Sequence, residues 1–323
     1  YDVTKVIVRN LDILIDKNFY SVPETKASNL SERPLGIGVQ GLADVFFKLK
    51  LPYDSVEANE VNVKIFETIY YSALEESCNL AKEKGPYETF EGSPFSQGQL
   101  QFDLWNKYKN KDHIQNDEII NWKESESRYD WNLLRENIKK HGTRNSLLTA
   151  LMPTATTSQI MGSSSESFEP VTSNLYTRRT LAGEFVVLNQ YLVSDLIERN
   201  IFSEKIMSKL LKNRGSVQNI KEIPDDLKEI YKTCWEIKQK KIINMSVSRG
   251  PFIDQSQSLN LHFEVPTCDI LSSSHLYSWR CGLKTGSYYI RSRPASTVLK
   301  NNISVSKPVE VNNALSLIEE PLV

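Results

Sequence analysis

Apolar side chains recur every three to four residues in several parts of the chain, which is the spacing of an α-helix with one buried face. Near the amino terminus, Asp2 stands where it could cap a helix; the apolar positions after it are Val3, Val6, Ile7, Leu11 and Leu14. Residues 56–84 predict a long helix that stops before a Gly-Pro pair. Residues 225–247 and 267–280 have the same pattern and predict two further helices.

Shorter segments have the patterns expected of strands. The apolar run from Leu147 to Met152 has the length of a buried strand. Residues 252–263 alternate apolar and polar side chains, as a strand does when one face borders a polar cavity. Residues 177–236 alternate short strand and helix patterns.

The character of the chain changes abruptly after Met152. Pro153 suits the first position of a helix, because its φ is restricted to helical values and it has no N–H to leave unpaired. The residues after it are Thr154, Ala155, Thr156, Thr157, Ser158 and Gln159, with Thr156 and Gln159 at the spacing of a capping box. Free N–H groups, hydroxyls and the helix dipole predict a site for a phosphate or diphosphate. The alternative is a well-capped helix that binds nothing.

A literal match to the dinucleotide fingerprint G-x-G-x-x-G runs from Gly36 to Gly41. That fingerprint requires a hydrophobic strand immediately before it, and here the polar sequence SNLSERP occupies that place. The hypothesis that the protein is a nicotinamide-dependent oxidoreductase is therefore supported by this motif alone.

Composition describes an ordinary soluble globular chain, with 40% hydrophobic and 24% charged residues. The net charge of -1 gives no support for nucleic-acid binding, and no apolar stretch approaches the length of a membrane span. The four cysteines, Cys78, Cys234, Cys268 and Cys281, form no CxxC pair. Cys78 and Cys234 fall on apolar helix faces and are expected in the core, so we expect a reducing, cytoplasmic location. The chain opens on Tyr1 directly in a helical pattern, which suggests a fragment of a longer protein.

Residues 107–130 are dominated by Lys, Asn, Asp and Glu and predict a solvated, mobile insertion. Neither His113 within this segment nor His141 beyond it has neighbours in a metal-ligand pattern, so no metal site is predicted. Residues 298–323 lose all periodicity and predict a flexible tail.

Four further motifs accompany the stretch from Asn145 to Pro170. In chain order they are RPLGIGVQGLAD, TSNLYTRRTLAGEF, RGPFIDQSQSLNL and GLKTGSYYIRSRPA. Together they resemble the carboxyl-terminal portion of the large, catalytic subunit of class I ribonucleoside-diphosphate reductase, from about residue 1 to about residue 297. The resemblance implies an α/β fold: the C-terminal half of a ten-stranded α/β barrel with a small appended α/β domain. The glycines from Gly36 to Gly41 would then permit close packing of a barrel strand.

The resemblance also implies a division of the chain. Residues 1–176 would form the barrel half with the diphosphate-binding turn, and residues 177–247 the small α/β domain with its connecting helices. Residues 248–297 would form the last barrel strands.

Site residues follow from the same resemblance. Pro153, Thr154, Ala155, Thr156, Thr157 and Ser158 would bind the diphosphate of a ribonucleoside diphosphate. Tyr288 and Tyr289 would relay a radical, with Tyr288 nearer the active site and Tyr289 nearer a partner subunit. A phenol is protonated at neutral pH, so its one-electron oxidation requires a partner to receive the proton. Without the resemblance, two tyrosines in a strand more often place one ring in the core.

The resemblance implies partners and cofactors too. A small subunit would supply the radical from its metal centre and dock its tail in a groove near helix 267–280, on a face that includes Leu271 and Leu276. The large subunit would form a homodimer, and ATP or dATP effectors would bind an upstream region absent from this sequence. No cofactor is expected in this chain itself.

The thiyl and redox-active cysteines of such enzymes match none of the four cysteines here, so this chain alone is expected to be inactive. A non-catalytic, phosphate-binding regulatory paralogue of the same fold remains the alternative.

Overall fold

The computed structural model describes residues 1–108, 117–180 and 183–293. In these ranges the chain forms twelve α-helices: α1 (Asp2–Lys17), α2 (Pro23–Glu32), α3 (Leu42–Lys48), α4 (Val56–Lys84), α5 (Gln101–Tyr108), α6 (Trp131–His141), α7 (Thr157–Ile160), α8 (Gln190–Glu198), α9 (Glu204–Lys212), α10 (Asp225–Ile230), α11 (Gln239–Arg249) and α12 (Cys268–Arg280). Its strands there are β1 (Leu175–Thr180), β2 (Gly183–Leu188), β3 (Asn260–Phe263) and β4 (Tyr289–Ser292). Short 3-10 turns span Phe95–Gln97, Glu124–Glu126 and Gly250–Phe252.

The long helix predicted over residues 56–84 is confirmed as α4. Ser55 caps its start by accepting the N–H of Ala58, and Gly85 ends it with a φ of 83°. The predicted helix at residues 267–280 is α12, whose N-cap Thr267 accepts the N–H of Ile270. The proposed cap of α1 is wrong, because Tyr1 occupies the cap position and Asp2 lies in the first turn.

The single helix predicted over residues 225–247 is also wrong, since two helices, α10 and α11, occupy this range. Between them, the N–H of fully buried Cys234 donates to the carbonyl of Val171 at 2.8 Å. A backbone donor engaged with a distant segment is not available to a helical ladder, so the helix is interrupted there.

Four segments run parallel to one another in the order 35–37, 147–151, 255–263 and β4. Isolated parallel bridges join Ile37 to Thr149 and Leu151 to Gln257. β3 continues the third segment and pairs in parallel with β4, Asn260 opposite Tyr289. The predicted apolar run at 147–152 therefore lies between neighbours as expected, although it makes single bridges rather than a longer ladder. The described residues do not form a closed barrel.

An antiparallel hairpin, β1–β2, precedes α8 and α9, in agreement with the strand and helix patterns of the sequence. Asn189 caps α8 and also donates its amide to the side chain of Asn174 at 2.9 Å. This region shares the hydrophobic core of the rest of the chain: the ring of Tyr231 stacks on Phe47 with centroids 5.1 Å apart.

Buried ionic groups hold the start of the first parallel segment. Arg33, 3% exposed, donates to the carboxylate of fully buried Asp12 at 2.9 Å and to Asp16 at 2.8 Å. The backbone of Arg33 has a φ of 47°, in the left-handed region, where it ends α2 and redirects the chain.

Residues 109–116, with His113, lie outside the described residues, as do residues 294–323. From residue 117 to residue 130 most side chains are exposed or half-buried, in line with a solvated segment, but a few apolar positions pack against the rest of the chain. Ile119 is 5% exposed, and the ring of Trp122 packs on Phe252 with centroids 5.2 Å apart. Trp122 also donates its N–H to Glu67 at 3.1 Å. These few apolar side chains attach the otherwise exposed segment to α4 and to the turn at 250–252.

Candidate functional site

The hydroxyl-rich loop, residues 153–158, leaves the second parallel segment at its carboxyl end. The helix that follows it, α7, begins at Thr157 rather than at Pro153 and has only four residues. Thr154 has a φ of 52°, in the left-handed region, so the chain turns there instead of entering a helix. The predicted capping box does not form, because the side chain of the N-cap residue Thr156 makes no capping hydrogen bond.

Thr154 and Ser158 hold this loop together by their side chains. The Thr154 hydroxyl lies 2.7 Å from the Ser158 hydroxyl and accepts the N–H of buried Ser167 at 2.7 Å. Ser158 is 2% exposed, and its N–H donates to the Thr154 carbonyl at 2.9 Å. Both hydroxyls are therefore engaged within the protein.

Three backbone N–H groups of the loop make no hydrogen bond of this kind. Ala155, Thr156 and Thr157 are exposed, and within the described part of the chain their N–H groups have no protein acceptor. Consecutive free N–H groups in a turn form a concave site for an anion even without a long helix behind them.

Two arginines that sequence reasoning missed lie beside the loop. A polar cavity of about 370 Å³ is lined by Ala155 and Ser158 together with Arg178, Arg291 and Glu169. Arg178 comes from β1 and Arg291 from β4, so only the fold brings them to the loop. The TRR and YIRSR motifs contain these residues, but nothing in either motif indicates that they line one cavity.

Glu169 is the buried acid of this cavity, with 6% of its surface exposed. Burial, and to a smaller extent the neighbouring Glu166 carboxylate, raise its pKa to about 7 against the opposing effects of Arg291 and of hydrogen bonds from Asn260. The Glu169 carboxyl therefore changes charge near neutral pH.

Tyr288 and Tyr289 lie at the start of β4 with their rings in contact. The ring centroids are 4.3 Å apart and the ring planes make an angle of 61°. Both side chains are 52% exposed, so the alternative of one ring in the core is wrong. A hydrogen bond with Tyr289 raises the pKa of the Tyr288 phenol. The Arg291 guanidinium lies 5.6 Å from the centre of the Tyr289 ring, which connects the pair to the cavity beside the loop.

The backbone of the two tyrosines is held by the neighbouring strand. The Tyr288 N–H donates to the Leu259 carbonyl at 2.6 Å, and the Tyr289 N–H donates to the Asn260 side chain at 3.2 Å. These contacts orient the pair relative to β3.

The glycines of the fingerprint motif pack segments together. A Cβ on Gly38 would lie 2.7 Å from the Ala150 carbonyl oxygen and 2.6 Å from the Met152 sulfur. Gly38 therefore allows the first parallel segment to approach the second, the close packing that the resemblance implied.

An open groove of about 860 Å³ lies between α12, the end of β3 and the start of α11. Ile270 and Tyr277 line it from α12, opposite Lys238 and Lys240. Leu271 and Leu276, which the sequence placed on the docking face, do not line this groove. His262 also borders it; the side chain is 4% exposed, and burial lowers its pKa to about 4.

All four cysteines are free; Cys78 and Cys234 are buried as predicted, Cys281 is buried, and Cys268 is exposed. In the described ranges, no group of three or more His, Cys, Asp or Glu side chains is placed to hold a metal ion. None of the helices described has the length and apolar character to cross a bilayer.

Parallel segments connected through helices define an α/β protein. A sequence profile described as "Ribonucleotide reductase, barrel domain" matches residues 1–289, and the chain belongs to this family.

Two similar curated proteins carry the name of a reductase subunit. The ribonucleoside-diphosphate reductase large subunit of Plasmodium falciparum (isolate Dd2) is 52% identical over 318 residues, which cover 97% of this chain and 37% of that protein. The ribonucleoside-diphosphate reductase large chain of Schizosaccharomyces pombe is 49% identical over 335 residues, covering 99% of this chain and 39% of that protein. The chain therefore spans well under half the length of these relatives.

A solved structure has a similar fold. The class Id ribonucleotide reductase alpha subunit of Actinobacillus ureae superposes with a TM-score of 0.67 at 27% identity, covering 90% of this chain and 46% of that one.

Proposed function

We propose that this chain is the part of a ribonucleoside-diphosphate reductase large subunit that holds the substrate diphosphate and relays a radical. The complete enzyme would be an oxidoreductase that reduces ribonucleoside diphosphates to deoxyribonucleoside diphosphates for DNA synthesis. Its fold would be a ten-stranded α/β barrel, with the four parallel segments as part of one half. The contact between the rings of Tyr288 and Tyr289, at 4.3 Å, carries this proposal.

Diphosphate binding would use the N–H groups of Ala155, Thr156 and Thr157. Hydroxyls of Thr156 and Thr157 would add donors, while Pro153, Thr154 and Ser158 would hold the loop in shape. Arg178 and Arg291 would supply the positive charge that the loop lacks. Binding energy at the diphosphate would orient the ribose for reaction, because a remote contact can position the reacting group.

Radical transfer would use the tyrosine pair. One electron and the phenolic proton of Tyr288 would pass together to the oxidised, proton-free oxygen of Tyr289, so that Tyr289 regains its O–H bond as Tyr288 becomes the radical; the contact between the rings permits this exchange. Tyr289 would face the small subunit, whose metal centre would generate the radical, and Tyr288 would face the substrate.

None of the four cysteines lies in the loop or lines the polar cavity beside it. We therefore propose that the thiyl and redox-active cysteines, together with the sites for ATP and dATP, belong to residues outside these 323. The active large subunit would be a cytoplasmic homodimer that works with the small subunit.

The groove between α11, β3 and α12 would accept the tail of the small subunit. Its apolar floor, formed in part by Ile270 and Tyr277, suits an amphipathic segment, and Lys238 and Lys240 suit acidic residues on that segment. A fluorescent tail peptide should bind the natural polypeptide that contains this chain. We expect Ile270→Asp to weaken binding about tenfold or more and Leu276→Asp, which lies off the groove, to leave it unchanged; equal affinities would reject this placement.

The main test is turnover by the natural polypeptide mixed with its small subunit. Tyr288→Phe keeps the ring and its packing but removes the phenolic proton. We expect this variant to lose turnover by a factor of about 10³ or more while it still binds ribonucleoside diphosphate with unchanged affinity. Tyr20→Phe, a change to a tyrosine that donates only to the Ile15 carbonyl, is the matched control and should keep full turnover.

The other outcomes separate the alternatives. Undiminished turnover of Tyr288→Phe would remove the pair from the radical path. Diphosphate binding without turnover in the wild type, with a small subunit that is active elsewhere, would favour the non-catalytic paralogue. Binding of a dinucleotide in place of a diphosphate would favour the hypothesis of a nicotinamide-dependent oxidoreductase, which is based on the motif from Gly36 to Gly41.

A further inference from the structure

A second cavity, also of about 370 Å³, opens at the amino ends of the parallel segments. Asp254 and Lys284 line it, and each precedes one of these segments; residues 153–158 leave the second segment at its other end. The volume lies in the range of small-molecule sites. Nothing in the proposed reductase function uses this cavity.

Three aromatic side chains form its walls. Tyr87 and Phe95 are 5% and 7% exposed, and Trp105 closes a third side. The Trp105 ring lies directly against the backbone of Gly250 and Gly282, where a Cβ on Gly250 would overlap it. Glycine at position 250 therefore leaves room for the edge of the indole ring, and aromatic walls favour a planar ligand.

The side chain of Gln101 indicates which hydrogen-bonding groups a ligand of this cavity needs. The residue is 6% exposed and its N–H donates to the Tyr70 hydroxyl at 2.9 Å, but its side-chain amide has no partner among the described residues. That amide borders the cavity. This amide is open to the cavity and makes no hydrogen bond with the described residues, so it is available to a ligand that presents one donor beside one acceptor.

The charges at the rim balance each other. The Asp254 carboxylate accepts the N–H groups of Leu148 and Thr149, at 2.7 and 3.2 Å. The Lys284 ammonium donates to the carbonyls of Ile253, at 2.9 Å, and of Asp254. Both groups are already engaged and of opposite sign, so the site has no net charge to match an ionic ligand.

We propose that this cavity binds an uncharged, planar heteroaromatic amide, which stacks between Trp105 and Tyr87 and pairs its donor–acceptor edge with the Gln101 side chain. Because Asp254 also holds the N–H groups of Leu148 and Thr149, the ligand would rest on the segment that leads to residues 153–158. A role separate from substrate binding follows from this placement.

Quinazolin-4-one is a suitable probe, since it is flat and presents an amide edge. Calorimetric titration of the natural polypeptide should show saturable binding with a Kd of about a millimolar or below. Excess ribonucleoside diphosphate should not displace the probe. Absence of saturable binding, or competition with the diphosphate, would overturn the proposal.

Matched leucine variants test the role of the amide. Gln101→Leu keeps the approximate size of the side chain and should weaken binding about tenfold, because the ligand amide would lose its partner. Gln97→Leu makes the same change on the exposed 3-10 turn nearby and should leave the Kd unchanged. Equal affinities in the two variants would contradict the assignment. If Gln101→Leu fails to fold, a wild-type crystal soaked with the probe decides, since density outside this cavity rejects the site.

Discussion

At the scale of the residue, Thr154 shows how a side chain can stabilise a backbone conformation it would otherwise avoid. A β-branched residue is unfavourable at a φ of 52°, yet the Thr154 hydroxyl bonds to Ser158 and accepts the N–H of Ser167. Ser167 is fully buried, so its N–H has no access to water as a substitute. The contacts of one hydroxyl therefore hold the loop whose N–H groups would meet the diphosphate.

We expect Thr154→Val to lower the free energy of unfolding by about 1–3 kcal/mol, because the buried Ser167 N–H would lose its acceptor. Thr154→Ser retains the hydroxyl and should lose less than about 1 kcal/mol. Thr157→Val is the control, since its exposed hydroxyl makes only a 3.4 Å contact with the Thr154 carbonyl. Urea unfolding of the three variants measures the difference; equal losses in Thr154→Val and Thr157→Val would contradict it.

Glu169 gives the protein a stability that depends on pH. Burial raises the pKa of the folded carboxyl from 4.5 to about 7, so between these values the folded state binds more protons than the unfolded state. The contribution of Glu169 to the free energy of unfolding is therefore greatest below about pH 4.5 and falls as the pH rises to 7, by up to about 3 kcal/mol. Glu169→Gln, which cannot ionise, should flatten this part of the stability profile. Parallel profiles for wild type and variant, measured by thermal unfolding from pH 5 to pH 8, would refute it.

At the scale of the element, close approach of the first two parallel segments depends on Gly38. Its hypothetical Cβ meets the Ala150 carbonyl oxygen at 2.7 Å, whereas that of Gly36 meets the Ala150 Cβ at 3.4 Å, an ordinary contact. The two glycines therefore form a matched pair with different space around them.

We expect Gly38→Ala to lower the free energy of unfolding by about 1–3 kcal/mol, because the segments must separate to admit the methyl group. Gly36→Ala should change it by less than about 1 kcal/mol. Unfolding in urea checks both values. A larger loss in Gly36→Ala than in Gly38→Ala would show that packing between the segments is not the constraint.

At the scale of the whole molecule, one edge of the parallel segments is exposed. Within the described ranges, β4 pairs only with β3 and three of its four residues are exposed, whereas Leu35 and Ile37 at the opposite edge are buried. The β4 edge presents backbone groups that can pair with another chain. α1 adds exposed apolar side chains, with Val3 72% and Leu14 58% exposed.

The 323-residue chain on its own should therefore self-associate at concentrations of about 1–100 µM. Sedimentation velocity over this range should show species that grow with concentration. The control is the longer large subunit proposed above, mixed with the proposed small subunit, which should give a single defined assembly. A chain that remains monomeric over the whole range would contradict this prediction.

Local patterns in the sequence were sufficient for α4 and α12. Each has its N-cap, its apolar stripe and, for α4, its terminal glycine within a few neighbouring residues, and such signals act over short distances. The motifs were also sufficient to predict the family, and the match to residues 1–289 confirms that prediction. The predicted site residues stay predictions, although the structure places the loop at a segment end and the two tyrosines in contact.

The sequence by itself determined the family, the main helices and the residue types available for binding and radical transfer. Only the tertiary structure decided that the helix after Asp225 is interrupted, that Thr154 turns the loop before α7, and that Arg178 and Arg291 line one cavity beside it. The physical reason is that each of these depends on contacts between segments far apart in the chain. The Cys234 N–H bonds to Val171, the Thr154 hydroxyl bonds to Ser167, and the two arginines come from different strands. No local propensity carries that information.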